Sequence, residues 1–285
     1  MPAPTLTIFA NFRINDQERF CRMRDSFLSF EDIDAQRWVI NVRGKYNLET
    51  LFFLHDHLGE KLSAHVLEGR KGWFNDTRQL LEEIDTDFVL FWIEDHLNLV
   101  DVVIYDGILK EMAESKSEYL NYTWWFLGHS AKLYDGIPKK EYKHIEAFVL
   151  NENNAKNLSL LGRTPYLISI PSIFSTKLFK KIASKNDPRF RRWPKETPFD
   201  FEKKGTDYHW LPINMAISKA ELFACIDDDQ GISGYSLQSR GLYPQRVTRE
   251  REKNDVRHAG LMRRIFRKIL PKFIKTLLLR LSYYC

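Results

Sequence analysis

The chain has 285 residues, 44% of them hydrophobic and 14% aromatic, which is ample material for a large core and excludes a disordered chain. Its net charge of +5 is unevenly spread: residues 246–285 hold twelve lysines and arginines against Glu250, Glu252 and Asp255, so a strongly basic tail follows a mildly acidic body. This excludes a nucleic-acid surface spread over the fold and points to one confined contact, for which anionic lipid is the natural candidate.

The first element in chain order is a β-type run over Thr5–Phe12, followed by a charged, helix-like stretch from Asp16 to Phe30 and a second strand, Arg37-Trp-Val-Ile-Asn-Val. Leu48–Leu62 reads as a helix and His65-Val-Leu-Glu as a short strand. Thr77–Ile84 reads as a helix with Leu80, Leu81 and Ile84 on one face. Asp87-Phe-Val-Leu-Phe-Trp-Ile is a buried strand that ends in Glu94-Asp95-His96. Strands alternating with helices at this spacing predict an α/β fold with a mostly parallel sheet, whose ligands bind beyond the carboxyl ends of the strands.

Further along, Val103–Ala113 reads as a helix, Tyr119–Leu127 as an aromatic-rich strand, and Ala147–Leu161 as containing a short helix. Tyr166-Leu-Ile-Ser-Ile-Pro-Ser gives a strand and a turn, Thr176–Ala183 a helix, Lys185–Asp200 a charged, Pro-rich loop, and Ala220–Ile226 a last strand. The one sharp change of composition separates a body, residues 1–245, from a tail, residues 246–285. Cys21, Cys225 and Cys285 are odd in number and show no CxxC spacing, so the sequence suggests neither a disulfide framework nor a zinc cluster, and a reducing cytosol is expected. The N-terminal residues lack the pattern of a signal peptide, and no run is apolar enough to span a bilayer.

Glu94-Asp95-His96 is the strongest local signal. A buried strand that delivers two carboxylates and an imidazole to its exit places metal ligands on a rigid edge. The plainer alternative is that strand ends are polar because the chain is leaving the core. The stretch from Gly72-Trp73 through a helix into Thr86-Asp-Phe-Val-Leu-Phe-Trp-Ile-Glu-Asp-His resembles the part of GT-A glycosyltransferases that leads into their DxD metal motif. That resemblance implies Asp95 as the chief ligand of a divalent cation, Mn2+ or Mg2+, with Glu94 and His96 beside it, and a nucleoside-diphosphate sugar as donor. Glu-Asp-His departs from Asp-x-Asp, so which of the three side chains touches metal and which touches sugar stays open.

A second resemblance lies in Tyr166-Leu-Ile-Ser-Ile-Pro-Ser-Ile-Phe, Phe179-Lys-Lys-Ile and Thr197-Pro-Phe-Asp-Phe-Glu, which in this order are similar to bacterial surface-polysaccharide glycosyltransferases of the lipopolysaccharide and capsule type. It implies an acceptor side lined by these segments. Glycosyl transfer needs a carboxylate to take the acceptor hydroxyl's proton; Glu202 is the first choice and Asp200 the reserve, with a charged-loop role as the alternative. The resemblance implies nucleotide contacts at Asn11 and Arg13, at the end of the first strand; Arg43, at the end of the second, is a further candidate, with a merely solvated arginine at a strand exit as the alternative.

Asp207-Tyr208-His209 and Asp227-Asp228-Asp229 are secondary candidates, the latter having the composition of a solvated turn. His55-Asp56-His57 reads as an exposed helix face. Phosphate-loop, zincin, serine-hydrolase and dinucleotide-binding motifs do not occur.

In the tail, Met262, Ile265, Phe266, Ile269, Leu270, Phe273, Ile274, Leu277, Leu278 and Leu281 recur at three- and four-residue steps, with Arg263, Arg264, Arg267 and Lys268 among them. This amphipathic helix, interrupted at Pro271, is expected to lie on an anionic membrane surface, with packing against the body or a partner chain as the alternative. The expected protein is thus a metal-assisted glycosyltransferase, inverting with retention as the open alternative, peripheral on the cytoplasmic face of a membrane, acting on a lipid-linked or surface-polysaccharide glycan and taking no nucleic acid. Its rivals are a nucleotidyltransferase on a similar sheet and a non-catalytic, membrane-associated scaffold.

Overall fold

The computed structural model describes residues 2–68, 73–121, 134–161, 166–167, 172–184, 203–204, 211–227 and 236–243. The chain divides into two compact units, Met1–Leu242 and Tyr243–Cys285. Apart from Tyr243 the second unit, and with it Arg263, Arg264, Phe266, Arg267, Lys268 and Phe273, lies outside the described residues.

The first unit opens with β1 (Leu6–Arg13), buried along its length except at Arg13. Leu6, Ile8, Ala10 and Phe12 enter one hydrophobic cluster while Phe9 enters another, so the period-two alternation of a strand feeds two cores. After β1 the chain reverses into α1 (Gln17–Phe30), whose N-cap Asp16 accepts the Arg19 amide at 2.9 Å. β2 (Arg37–Arg43) then pairs in parallel with β1, residue 11 opposite 41 and 13 opposite 43. Gly44 follows at φ +94°; a Cβ there would meet Ile14 O at 2.6 Å and Asn15 Oδ1 at 2.5 Å, so only glycine fits.

α2 (Asn47–Leu58) ends at Gly59, and a 3-10 turn leads to β3 (Leu62–His65), which begins three residues before the strand predicted at His65. α3 (Trp73–Leu80) and its 3-10 extension bury Leu80, Leu81 and Ile84, as the pattern of that segment predicts. β4 (Phe88–Phe91) is shorter than the predicted strand: pairing stops at Phe91, Glu94 and Asp95 lie in a turn, and His96 opens β5 (His96–Asn98).

The remaining elements are α4 (Val103–Ser115), β6 (Tyr119–Asn121), β7 (Lys140–Glu141), β8 (Ile145–Leu150), α5 (Glu152–Leu160), β9 (Tyr166–Leu167), β10 (Ser172–Ser175), α6 (Thr176–Ser184), β11 (Lys203–Lys204), β12 (Ile213–Ser218) and β13 (Phe223–Cys225). The expected last strand at Ala220–Ile226 is β13, which pairs with β5 in a separate small sheet.

The nine-stranded central sheet has the order β3-β2-β1-β4-β10-β6-β12-β8-β7. β3, β2, β1 and β4 are mutually parallel, β6 and β12 run with them, and only β10 and β8 among the long central strands run against them. This is the mostly parallel, helix-flanked sheet expected of the GT-A-like α/β reading. α1, α2 and α4 pack on one face, where Phe27, Leu54, Ile108 and Met112 meet Trp38, Leu90 and Trp92. α3, α5 and α6 cover the other, where Trp73, Leu158 and Phe179 meet Phe9, Val39 and Phe91.

One polar chain crosses the first of these cores. Trp92, packed edge-on to Phe12 and Trp38, donates its indole N–H to Ser26 Oγ at 2.8 Å, and Ser26 donates to the His96 carbonyl. A single buried hydroxyl on α1 therefore satisfies the Trp92 indole and holds the backbone where β5 starts. Ser26→Ala leaves both groups without this partner and is expected to cost about 1–3 kcal/mol in urea unfolding; a loss below a few tenths would show that the hydroxyl is not what holds the turn.

Candidate functional site

The carboxyl ends of β1, β2 and β4 and the segment after β3 converge on one charged neighbourhood. Beneath it lies a layer of amide contacts. Asn11 donates to Thr77 Oγ1 at 2.9 Å and to the Trp73 carbonyl at 3.3 Å, accepts from Asn41 at 2.9 Å, and its own carbonyl accepts the Trp73 indole N–H at 2.8 Å. Asn41 in turn clamps Leu67, accepting its amide at 2.6 Å and donating to its carbonyl at 3.0 Å. Asn11 is 4% exposed, and its side chain ties β1 to α3 and β2. α3 seats directly on this strand end.

Two residues further along both strands, on the same face, come Arg13 and Arg43. Arg13 is half exposed and ion-paired to Glu68; Arg43 is buried. Burial first, then the adjacent Arg13, pull the Arg43 pKa down, while Asp76, Glu68 and Glu94 hold it up. A guanidinium tolerates this setting because it stays charged under all ordinary conditions.

Glu94 sits at the turn after β4 with its side chain 11% exposed, 3.6 Å from Arg19 of α1. Burial, and next the neighbouring Asp95 carboxylate, push the Glu94 carboxyl up to about 7 against the pull of Arg19 and Arg43. Asp95 is more open, with its side chain 39% exposed, and its Oδ1 lies 2.6 Å from His96 Nδ1. Partial burial works to raise the Asp95 carboxyl, but the imidazole at that distance and Arg19 outweigh it and hold the carboxyl below its ordinary range.

His96 is buried on β5 directly opposite Cys225 on β13, and the ligand atoms of Asp95, His96 and Cys225 all lie within 4.8 Å of one another. Just past Cys225, Asp227 is ion-paired to Arg22 of α1, so this member of the aspartate run fastens the small sheet to the helix. Asp228, Asp229 and Asp207-Tyr208-His209 lie outside the described residues, as do the acid–base candidates Glu202 and Asp200. His55, Asp56 and His57 are exposed on α2, as expected, with His57 bonded to Glu31 at 2.8 Å.

The structure thus brings together Arg13, Arg43, Glu94, Asp95 and His96 from the sequence reading and adds Arg19, Glu68, Asp76 and Cys225. Arg19 lies in the first turn of α1, the element that follows β1, and Asp76 falls inside the Gly72–Thr86 stretch, so both stand near residues already singled out. Cys225 carried no signal, because it stands 129 residues from His96 in a chain without CxxC spacing. Chemically, the neighbourhood combines cations fit for phosphate oxygens with a carboxylate–imidazole–thiol group fit for a metal ion.

No family model matches the chain, and no curated protein matches it. Among solved structures it is similar to S. aureus TarS, at 14% identity over 77% of this chain and 36% of that one, with a TM-score of 0.46. A TarS fragment, residues 1–349 in complex with UDP, gives 14% identity over 77% and 59%, with a TM-score of 0.45. The bifunctional IspDF from Campylobacter jejuni gives 14% over 64% and 44%, with a TM-score of 0.34. The chain spans between about a third and three-fifths of the length of these structures, and likenesses this distant assign no activity.

The unfolded Glu94 carboxyl ionises near the ordinary value of 4.5 and the folded one near 7, so between these values the folded state binds the extra proton and stability falls as pH rises. Glu94→Gln removes the effect. In denaturant titrations the variant is expected to match its parent near pH 4 and to exceed it by about 1–3 kcal/mol at pH 8; equal stability at pH 8 would show that Glu94 ionises normally.

Proposed function

We propose that the chain is a nucleotide-sugar-dependent glycosyltransferase of the GT-A type. The observation that carries this reading is the juxtaposition of Glu94 and Asp95, in the turn after β4, with Arg13 and Arg43 at the carboxyl ends of β1 and β2. Parallel α/β sheets bind their ligands at this edge, and a diphosphate needs cations for its oxygens.

In this reading Arg13 and Arg43 face the donor's nucleoside diphosphate, with Arg19 beside them. Asp95 and His96 are the residues that would hold a divalent cation; Mn2+ and Mg2+ are the ions that an oxygen ligand suits, and such an ion, when bound, neutralises charge developing on the diphosphate. Asp95 orients the imidazole of His96, and Glu94 sits behind them as a buried carboxyl.

The acceptor hydroxyl attacks the anomeric carbon while the bond to the diphosphate oxygen breaks. Its proton passes to Glu202, or to Asp200 in reserve, and the electron pair leaves on the diphosphate with inversion at carbon. The acceptor is a lipid-linked or surface-polysaccharide glycan. The basic tail carries the enzyme to the inner membrane face, each cation near an anionic surface contributing about 1 kcal/mol. Among the described residues no helix is long and apolar enough to cross a membrane.

A nucleotide-sugar screen by thermal shift tests the donor site. Ligand at 100-fold its Kd stabilises the native state by about 2.7 kcal/mol, which raises the melting temperature by several degrees. Asp95→Ala is expected to abolish release of nucleoside diphosphate. Glu202→Gln is expected to lower turnover by about 10²–10⁴-fold with the donor-induced shift retained. No shift with any nucleotide or nucleotide sugar would leave the scaffold reading standing in its place.

The tail is tested separately. A chain ending near Arg246 is expected to stop sedimenting with anionic vesicles, and unchanged sedimentation would overturn the lipid role.

A further inference from the structure

Expected metal chemistry and observed donor set part company at one point. Mg2+ and Mn2+ favour carboxylate, carbonyl and water oxygens, yet the side chains that converge here are one carboxylate, one imidazole and one thiol. A thiolate is a soft ligand that Mg2+ does not take, and with an imidazole it suits a borderline ion of the Zn2+ class. We propose that Asp95, His96 and Cys225 form a three-ligand site for Zn2+, with the fourth position open to solvent.

Three features beyond proximity support it. His96 and Cys225 are direct partners in the antiparallel β5–β13 pair, so their side chains leave the same face of the small sheet, with Cβ atoms about 4.5–5.5 Å apart. The backbone of all three ligands is pinned. Ile226 N–H bonds the Asp95 carbonyl at 2.7 Å, Leu237 N–H bonds the Cys225 carbonyl at 2.9 Å, and Ser26 holds the His96 carbonyl. Finally, burial is graded: His96 is enclosed, whereas Asp95 and Cys225 keep partial access to solvent, which gives an ion a way in and leaves room for a water ligand.

Tetrahedral Zn2+ with N and O at about 2.0–2.1 Å and S at about 2.3 Å spaces its ligand atoms roughly 3.3–3.6 Å apart. Atoms already within 4.8 Å reach that spacing by side-chain rotation, with the β5–β13 ladder unchanged. In the protein as it stands the Cys225 thiol donates to the Asp227 carbonyl. Binding breaks the S–H bond, releases the proton to solvent and forms the S–Zn bond; nothing is oxidised or reduced.

The site takes Asp95 and His96 from the transferase reading and puts Zn2+ there in place of Mn2+ or Mg2+, but it does not need the donor site, since the ion is bound without nucleotide. The two therefore fail separately: a donor-induced melting shift with no Zn2+ binding removes only the zinc site, and the reverse result removes only the donor site.

The test uses the full chain, stripped of metal, on a Cys21→Ser, Cys285→Ser background in which Cys225 is the only thiol. Co2+ as a spectroscopic substitute is expected to give one equivalent of tetrahedral d–d bands with a thiolate-to-cobalt charge-transfer band. Zn2+ is expected to displace it stoichiometrically, and Mg2+ at 100-fold excess to leave it unchanged. Adding Cys225→Ser is expected to abolish the charge-transfer band and weaken Zn2+ at least tenfold, while His96→Gln weakens it comparably. Absence of the band on the single-thiol background overturns the proposal even if the further variants fail to fold. Displacement by Mg2+, or Zn2+ affinity unchanged by Cys225→Ser, also overturns it.

Discussion

A buried indole N–H and a buried backbone carbonyl share one hydroxyl, and the position of the candidate site depends on that sharing. Trp92 follows β4 directly and is fully buried in the first core, and His96 opens the next strand four residues later. Between them the chain must turn while carrying Glu94 and Asp95. Ser26 accepts from one end of this turn and donates to the other, so the turn is referenced to α1 and not only to the sheet. Leaving either group unmet in the core would cost more than a typical hydrogen bond yields, because the water that would otherwise satisfy it is excluded.

Once the turn is tied to α1, the rest of the charge arrangement follows from the helix. Arg19 and Arg22 lie three residues apart on α1 and therefore on neighbouring parts of one face. The first reaches Glu94 and the second reaches Asp227 beyond β13, so one helix spans both strands of the small sheet. On the opposite side of the central sheet the amide layer of Asn11 and Asn41 does the equivalent work for α3 and the segment after β3. Arg43 can be buried above that layer because carboxylates from three separate segments, Glu68, Asp76 and Glu94, surround it.

Local periodicity made β1, α1, β2, α2 and α4 legible, since each presents its own alternation or helical stripe within a short window. The acidic turn was legible too, because Phe88–Phe91 is wholly apolar and the change to Glu94-Asp95 is abrupt. What escaped was set by partners distant in the chain. β12 reads weakly because Asn214 and Ser218 interrupt its apolar residues and Pro212 precedes it; it is a central strand only because β6 and β8 flank it. The small sheet was hidden for the same reason. Phe223–Cys225 was legible as a strand, but its partner was not, because the three residues at His96–Asn98 have no strand signature of their own. The amide contacts of Asn11 escaped by the same limit: the helix that covers this strand end cannot be placed from the strand's own residues.

This hidden pairing also changes the chemistry of the acidic turn. Seen along the chain, Glu94-Asp95-His96 is a set of oxygen ligands with an imidazole attached. Seen across β5 and β13, His96 faces a thiol and Asp95 is already engaged with His96, while Glu94 is drawn instead toward Arg19 and Arg43. The two carboxylates, adjacent in sequence, thus belong to different environments, one buried among cations and one at an open edge beside a nitrogen and a sulfur. A motif that reads as one unit in the sequence is therefore split between two environments in the structure, and the thiol that marks one of them is contributed by a strand that the motif does not contain.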